Sequence, residues 1–240
     1  MFKFVILASP RTGSNLLVDI LNRHPEFYCH GEIFHHQKPN GLRSESVFKD
    51  LINIDPKVLR DRSGIKFLEL VHQLSPTHKN VGFKFFYNHD PEILQTVIAD
   101  ETYKIIHLMR DNKLASYSSI KIAEITNVWH HGYQKEKLEA ILTSPKIEFN
   151  EHDFLKYIDF IQSHENNVKH MLKGRENTID ISYDTLLESL PQLSNFFHCN
   201  STIDNYSTME KQNPSQPINR FSNPDNVKKT MEKLKCASWL

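Results

Sequence analysis

The stretch from Phe4 to Leu17, FVILASPRTGSNLL, constrains this chain more than any other. Its apolar run Phe4 to Ala8 suits a buried strand, the turn-forming set Ser9, Pro10, Arg11, Thr12 and Gly13 breaks that strand, and a helix opens at Ser14 and Asn15. A helix start leaves backbone N–H groups unpaired and carries partial positive charge. A small-residue turn placed there therefore presents several donors to one phosphate or sulfate. Arg11 adds a permanent charge with a bidentate fork, and Thr12, Ser14 and Asn15 are expected to supply side-chain donors and helix caps.

Three more apolar runs read as buried strands: Val81 to Phe86, Tyr103 to Leu108, and Thr178 to Ile181. Helical patterns lie between and around them, at Asn15 to Arg23, from Pro91 after the capping candidates His89 and Asp90, at Lys113 to Thr126, and at Glu151 to Leu172. The last third reads as a helix from about Leu186 to His198, a polar loop from Lys211 to Pro224, and a closing helix from about Asp225 to Lys235. Strands alternating with helices predict an α/β fold, a P-loop-like three-layer sandwich whose central parallel sheet binds ligands outside the carboxyl ends of its strands.

With 240 residues the chain suits a single domain over 1–240. Polar stretches near 35–63 and 126–150 read as insertions able to form a lid or an acceptor pocket, with Trp129, His130 and His131 offering an aromatic face and polar neighbours to a sugar. Lysine plus arginine equal aspartate plus glutamate at 29 each, so no nucleic-acid partner and no polybasic membrane anchor is expected, and any anion site must be built locally. Cys29, Cys199 and Cys236 are scattered and odd in number, which suits reducing surroundings. Without a basic leader or an apolar stretch of spanning length, the expected location is cytoplasmic, with no integral membrane segment.

The first turn is not a Walker A loop, because no lysine follows Gly13; basic charge stands ahead of the glycine instead, at Arg11. That suits a single anionic group bound without a metal. The 14 histidines raise the question of zinc, above all around Cys29, His30, His35 and His36, yet no CxxC or HExxH spacing accompanies them and no metal is expected. A second pattern is HLMRDNKLASYSSIKIA. There Arg110 ends a strand, Asp111 and Asn112 can cap the next helix, and Ser118 lies eight residues on, about two turns into it. A strand-end arginine and a helical hydroxyl can hold one phosphate between them.

These two patterns in this order resemble the sulfotransferases that use 3′-phosphoadenosine-5′-phosphosulfate (PAPS), most closely the bacterial carbohydrate branch with the trehalose and nodulation-factor enzymes. HGEIF at His30 to Phe34, GFKFF at Gly82 to Phe86, and KQNPSQPINRFSNPDNV at Lys211 to Val227 extend the resemblance over nearly the whole chain. It implies that Arg11, Thr12, Gly13, Ser14 and Asn15 hold the phosphosulfate and that Arg110 and Ser118 hold the 3′-phosphate. Tyr183 would lie near the adenine, and Lys211 and Arg220 would make further nucleotide contacts. The product would be 3′-phosphoadenosine-5′-phosphate (PAP). The histidine that the eukaryotic cytosolic branch places two residues after its strand-end lysine is absent, since Lys84 is followed by Phe85 and Phe86. The resemblance instead puts Glu32 in the place of the general base, with His89 in reserve, and Arg11 and Lys84 where charge develops on the leaving phosphate. The expected reaction is sulfuryl transfer to a hydroxyl acceptor, a carbohydrate or glycolipid. A phosphoryl-transferring kinase or NTPase on a related sheet, and a non-catalytic nucleotide- or glycan-binding relative, are the alternatives.

Overall fold

A computed structural model describes residues 2–43, 45–77, 79–129, 146–209 and 216–240. They fall into two compact units, residues 1–109 with 167–207, and residues 110–166 with 208–240. Lys211, His130 and His131 lie outside the described residues, as does most of the stretch expected as an insertion at 126–150.

The first unit is built on five parallel strands, β1 (Lys3–Ala8), β2 (Phe27–His30), β3 (Asn80–Phe86), β4 (Tyr103–Met109) and β5 (Thr178–Ser182), in the order β2-β3-β1-β4-β5. Strand alternation sorts the side chains of β1 onto two faces. Phe4, Ile6 and Ala8 join Leu17, Ile20 and Leu21 of α1 (Ser14–Arg23) and Leu190, Leu193 and Phe197 of the helix Leu190–Phe197 in one core. Val5 and Leu7 join the opposite core, formed with α2 (Glu45–Ile52), α3 (Pro56–Arg62), α4 (Gly64–Gln73) and α5 (Pro91–Ala99). The three layers and the parallel sheet are those the strand and helix pattern predicts.

Two local differences have physical causes. Phe27–His30 forms an edge strand that the sequence pattern does not announce, because FYCH is short and half polar. It is held by packing: the Phe27 ring meets Phe4 at 5.7 Å and Phe197 at 4.9 Å between centroids, both edge-on. The helix expected from Leu186 begins instead at Leu190, after a short 3₁₀ turn at Tyr183–Thr185, with Pro191 in its first turn. The cap expected ahead of α5 is present. Asp90 accepts from the backbone N–H groups of Glu92 and Ile93 ahead of α5.

The second unit has its own core. Leu114, Tyr117 and Ile122 of α6 (Lys113–Thr126) pack with Phe154 and Ile158 of α7 (Glu151–Met171) and with Phe221, Val227 and Met231 around α9 (Pro224–Lys233), the helix Leu190–Phe197 being α8. Asn112 caps α6 by accepting from Ala115 N–H at 2.8 Å. Among the described residues one isolated parallel bridge, Ile147 to Phe221, ties the segment before α7 to the one before α9.

Candidate functional site

The turn after β1 lies at the carboxyl end of the sheet, as expected, but its conformation is more specific than its composition. Arg11 has φ 67° and Gly13 φ 78°, so two left-handed residues flank Thr12. A left-handed arginine costs roughly 1–2 kcal/mol. Such reversals turn consecutive N–H groups toward one side, the concavity that binds anions. The expected capping is corrected here: the N-cap is Gly13, and no side chain caps α1. Ser14 is the first helical residue and is buried, while the Thr12 hydroxyl donates to the Ser9 carbonyl at 2.8 Å, bracing the turn.

Gly13 is fixed by a second constraint. A Cβ there would stand 2.0 Å from Cδ2 of Tyr183, whose ring lies directly over it. Tyr183 follows β5 and opens the 3₁₀ turn, its start capped by Ser182 accepting from Asp184 N–H. The residue linked by resemblance to the adenine is therefore packed on the turn after β1.

Glu32 sits in a tightly closed loop after β2. Its carbonyl accepts from His35 N–H and Asn40 N–H, both at 3.0 Å, and Gly31 N–H donates to Gly41 O at 2.9 Å. Only glycine fits at 31, because a Cβ would meet Asn40 O at 2.7 Å. Ile33 and Phe34 anchor the loop in the core. So held, the Glu32 carboxylate faces β3: its Oε1 lies 2.6 Å from Lys84 Nζ. The same ammonium donates to Oδ1 of Asn15, in the first turn of α1, at 2.5 Å. Lys84 is almost wholly buried. Burial pulls its pKa down and the nearby Arg11 charge adds to that, while Glu32 pushes it back up.

His89 lies beside the same carboxylate. Its Nδ1 accepts from Phe86 N–H at 3.2 Å, which assigns the proton of the neutral ring to Nε2. Nε2 lies 3.7 Å from Glu32 Oε2. Burial lowers its pKa to about 4, against a partial rise from Glu32, so at neutral pH the ring is uncharged and turns an N–H toward the carboxylate. That nitrogen has no lone pair for an acceptor proton.

In the second unit, Arg220 and Ser118 meet. Arg220 Nη1 donates to Ser118 Oγ at 2.8 Å and to Ala115 O at 3.3 Å, with both residues buried. Arg110 directly precedes the capped start of α6 and is also buried; its carbonyl accepts from Lys113 Nζ at 2.7 Å. Lys113 in turn pairs with Glu165 at 2.6 Å, which neutralises a buried charge the sequence did not flag. A lysine four residues after the β4 strand end and a glutamate on a distant helix give no local signal of pairing.

His30, His35 and His36 each have partners within the protein. His30 holds Ser75 Oγ at 3.0 Å through Nε2 and accepts Arg43 N–H at Nδ1, and His35 stacks on His36 at 4.3 Å. Among the described residues no helix is long and apolar enough to cross a membrane.

No family model matches the sequence, and no curated protein matches it. Solved structures do. A sulfotransferase from Alicyclobacillus acidocaldarius superposes with a TM-score of 0.50 at 16% identity, covering 98% of this chain and 97% of that one. A mouse sulfotransferase solved with PAP superposes with a TM-score of 0.50 at 12% identity, covering 99% of this chain and 86% of its own. At such identity the likeness is one of architecture, and over nearly its whole length this chain has the sulfotransferase fold.

Proposed function

We propose that the protein transfers a sulfuryl group from PAPS to a hydroxyl acceptor of the carbohydrate or glycolipid class. The observation that carries this reading is the Asn15–Lys84–Glu32 chain: one buried ammonium joins a poised carboxylate to the first turn of the anion-binding helix. A kinase would instead need a lysine after Gly13 and acidic ligands for magnesium.

Arg11, the backbone N–H groups from Gly13 to Asn15, and Lys84 are assigned to the phosphosulfate. The left-handed pair at Arg11 and Gly13 fits them to a compact anion. Tyr183 is assigned to the adenine, and Arg110, Ser118 and Arg220 to the 3′-phosphate. Lys211 stays with them by resemblance alone. Glu32 takes the proton of the acceptor hydroxyl as its oxygen attacks sulfur. The bond from sulfur to the bridging phosphate oxygen breaks in line, and the electron pair stays on the phosphate. Lys84, Arg11 and the helix-start N–H groups stabilise that charge where it grows. A carboxylate so placed contributes roughly 10²–10⁴ in rate. No step asks for a metal.

The acceptor side is assigned to the loop after β2 and to the stretches near 35–63 and 126–150, in one domain over 1–240. The proposed setting is cytoplasmic.

The test is a transfer assay with labelled PAPS and a panel of glycans and glycolipids, run beside a thermal-shift comparison of PAP and magnesium–ATP. Stabilisation by PAP without magnesium supports the reading. Preference for magnesium–ATP would replace it with phosphoryl transfer.

A further inference from the structure

At the opposite end of α1 from the anion turn, three groups of different chemistry converge. His24, which ends α1, Glu26, just before β2, and Cys199, just after α8, each bring one ligand atom within 4.8 Å of the others. With 10 residues at 1.5 Å rise, α1 separates this cluster from the anion turn by about 15 Å. It plays no part in the chemistry proposed above.

We propose that His24, Glu26 and Cys199 bind one thiophilic divalent cation of the zinc type, which clamps the segment after α8 to the turn between α1 and β2. Imidazole nitrogen, carboxylate oxygen and thiolate sulfur together make a set that zinc accepts, with water completing a tetrahedral shell.

The surrounding hydrogen bonds fit a ligand role. The His24 ring Nε2 lies 2.9 Å from Ser201 Oγ and 3.3 Å from Ser201 O, and Nδ1 accepts from Glu26 N–H at 3.3 Å. These partners assign the proton to Nε2 and leave a lone pair on Nδ1, on the Glu26 side. Metal-bound histidines usually donate their second nitrogen in this manner. The bond that Nδ1 would give up is long and therefore weak. Glu26 uses Oε1 to accept Asn200 N–H at 2.8 Å, which orients the carboxylate beside Cys199.

The backbone holds both ligand-bearing segments in place without a metal. Asn80 N–H donates to Glu26 O at 2.7 Å, and Cys199 N–H donates to Ser194 O at 3.0 Å. Binding converts the Cys199 thiol to a thiolate and releases its proton to solvent.

The experiment is cobalt(II) titration of the full chain, freed of metal with a chelator, followed by zinc(II) competition. One equivalent of cobalt should produce a thiolate-to-cobalt charge-transfer band that zinc abolishes. Cys199→Ser should lack the band and Cys236→Ser should keep it, with circular dichroism reporting the fold of each. Glu26→Gln preserves an acceptor for Asn200 N–H and should weaken zinc by roughly tenfold or more. A chain without the band at one equivalent, or a band that survives Cys199→Ser, would overturn the site. Unchanged zinc affinity in Glu26→Gln would overturn the three-ligand set.

Discussion

Lys84 Nζ stands 2.6 Å from Glu32 Oε1 and 2.5 Å from Asn15 Oδ1, so a single buried lysine ties the loop after β2 to the start of α1. Two segments remote in sequence from Lys84 thereby share one charged contact.

The first prediction concerns this contact. Glu32→Gln keeps shape and an acceptor oxygen but removes the proposed base, so turnover should fall by roughly 10²–10⁴ while PAP affinity stays within about threefold. Steady-state kinetics beside calorimetry checks it. Full activity in Glu32→Gln would remove Glu32 from the mechanism. His89→Asn should instead lower turnover only modestly, because the ring faces Glu32 with an N–H.

A second prediction rests on Tyr183 over Gly13. Gly13→Ala meets both a left-handed backbone and the ring, so it should cost more than the roughly 1–2 kcal/mol that the backbone alone imposes. Adding Tyr183→Ala should recover the steric part and leave the backbone part. Denaturant melts of the two variants and the double variant separate the two terms.

A third follows from Arg220 donating to Ser118. Arg220→Ala and Ser118→Ala should each weaken PAP by roughly tenfold or more, and the double variant should lose less than the sum, since the residues are in contact. Equal affinity in all three would separate the pair from nucleotide binding.

A fourth concerns acid. Burial lowers the His72 pKa from 6.5 to about 4 and, helped by the His72 and Arg43 charges, that of His30 from 6.5 to about 3. Between about pH 6.5 and 4 the unfolded chain holds protons there that the native chain does not, so stability falls as pH falls through that window. The slope is at most about 1.4 kcal/mol per pH unit for each histidine. His72→Gln should flatten the dependence of Tm on pH over this range; an unchanged slope would contradict the assignment.

How much of this was legible from the sequence follows from where each signal lies. The β1 turn announces itself locally, because an apolar run, small residues and a helical pattern are contiguous between Phe4 and Leu17. The parallel sheet follows from the repeated alternation. The left-handed state of Arg11 does not, since nothing in its identity demands it. Nor does the approach of Arg220 to Ser118 across 102 positions, or of Glu165 to Lys113 across 52, because such pairs are made by packing. The histidine reading shows the same limit. Cys29, His30, His35 and His36 stand close together in the sequence, whereas the convergence of His24 and Glu26 with Cys199 depends on where α8 ends.

The most direct measurement is calorimetric titration of the purified chain with PAP, without magnesium. One site per chain with micromolar affinity, lost in Arg110→Ala and kept in Glu32→Gln, is the expected result. Heats no larger than dilution would contradict the assignment of this fold to PAPS chemistry.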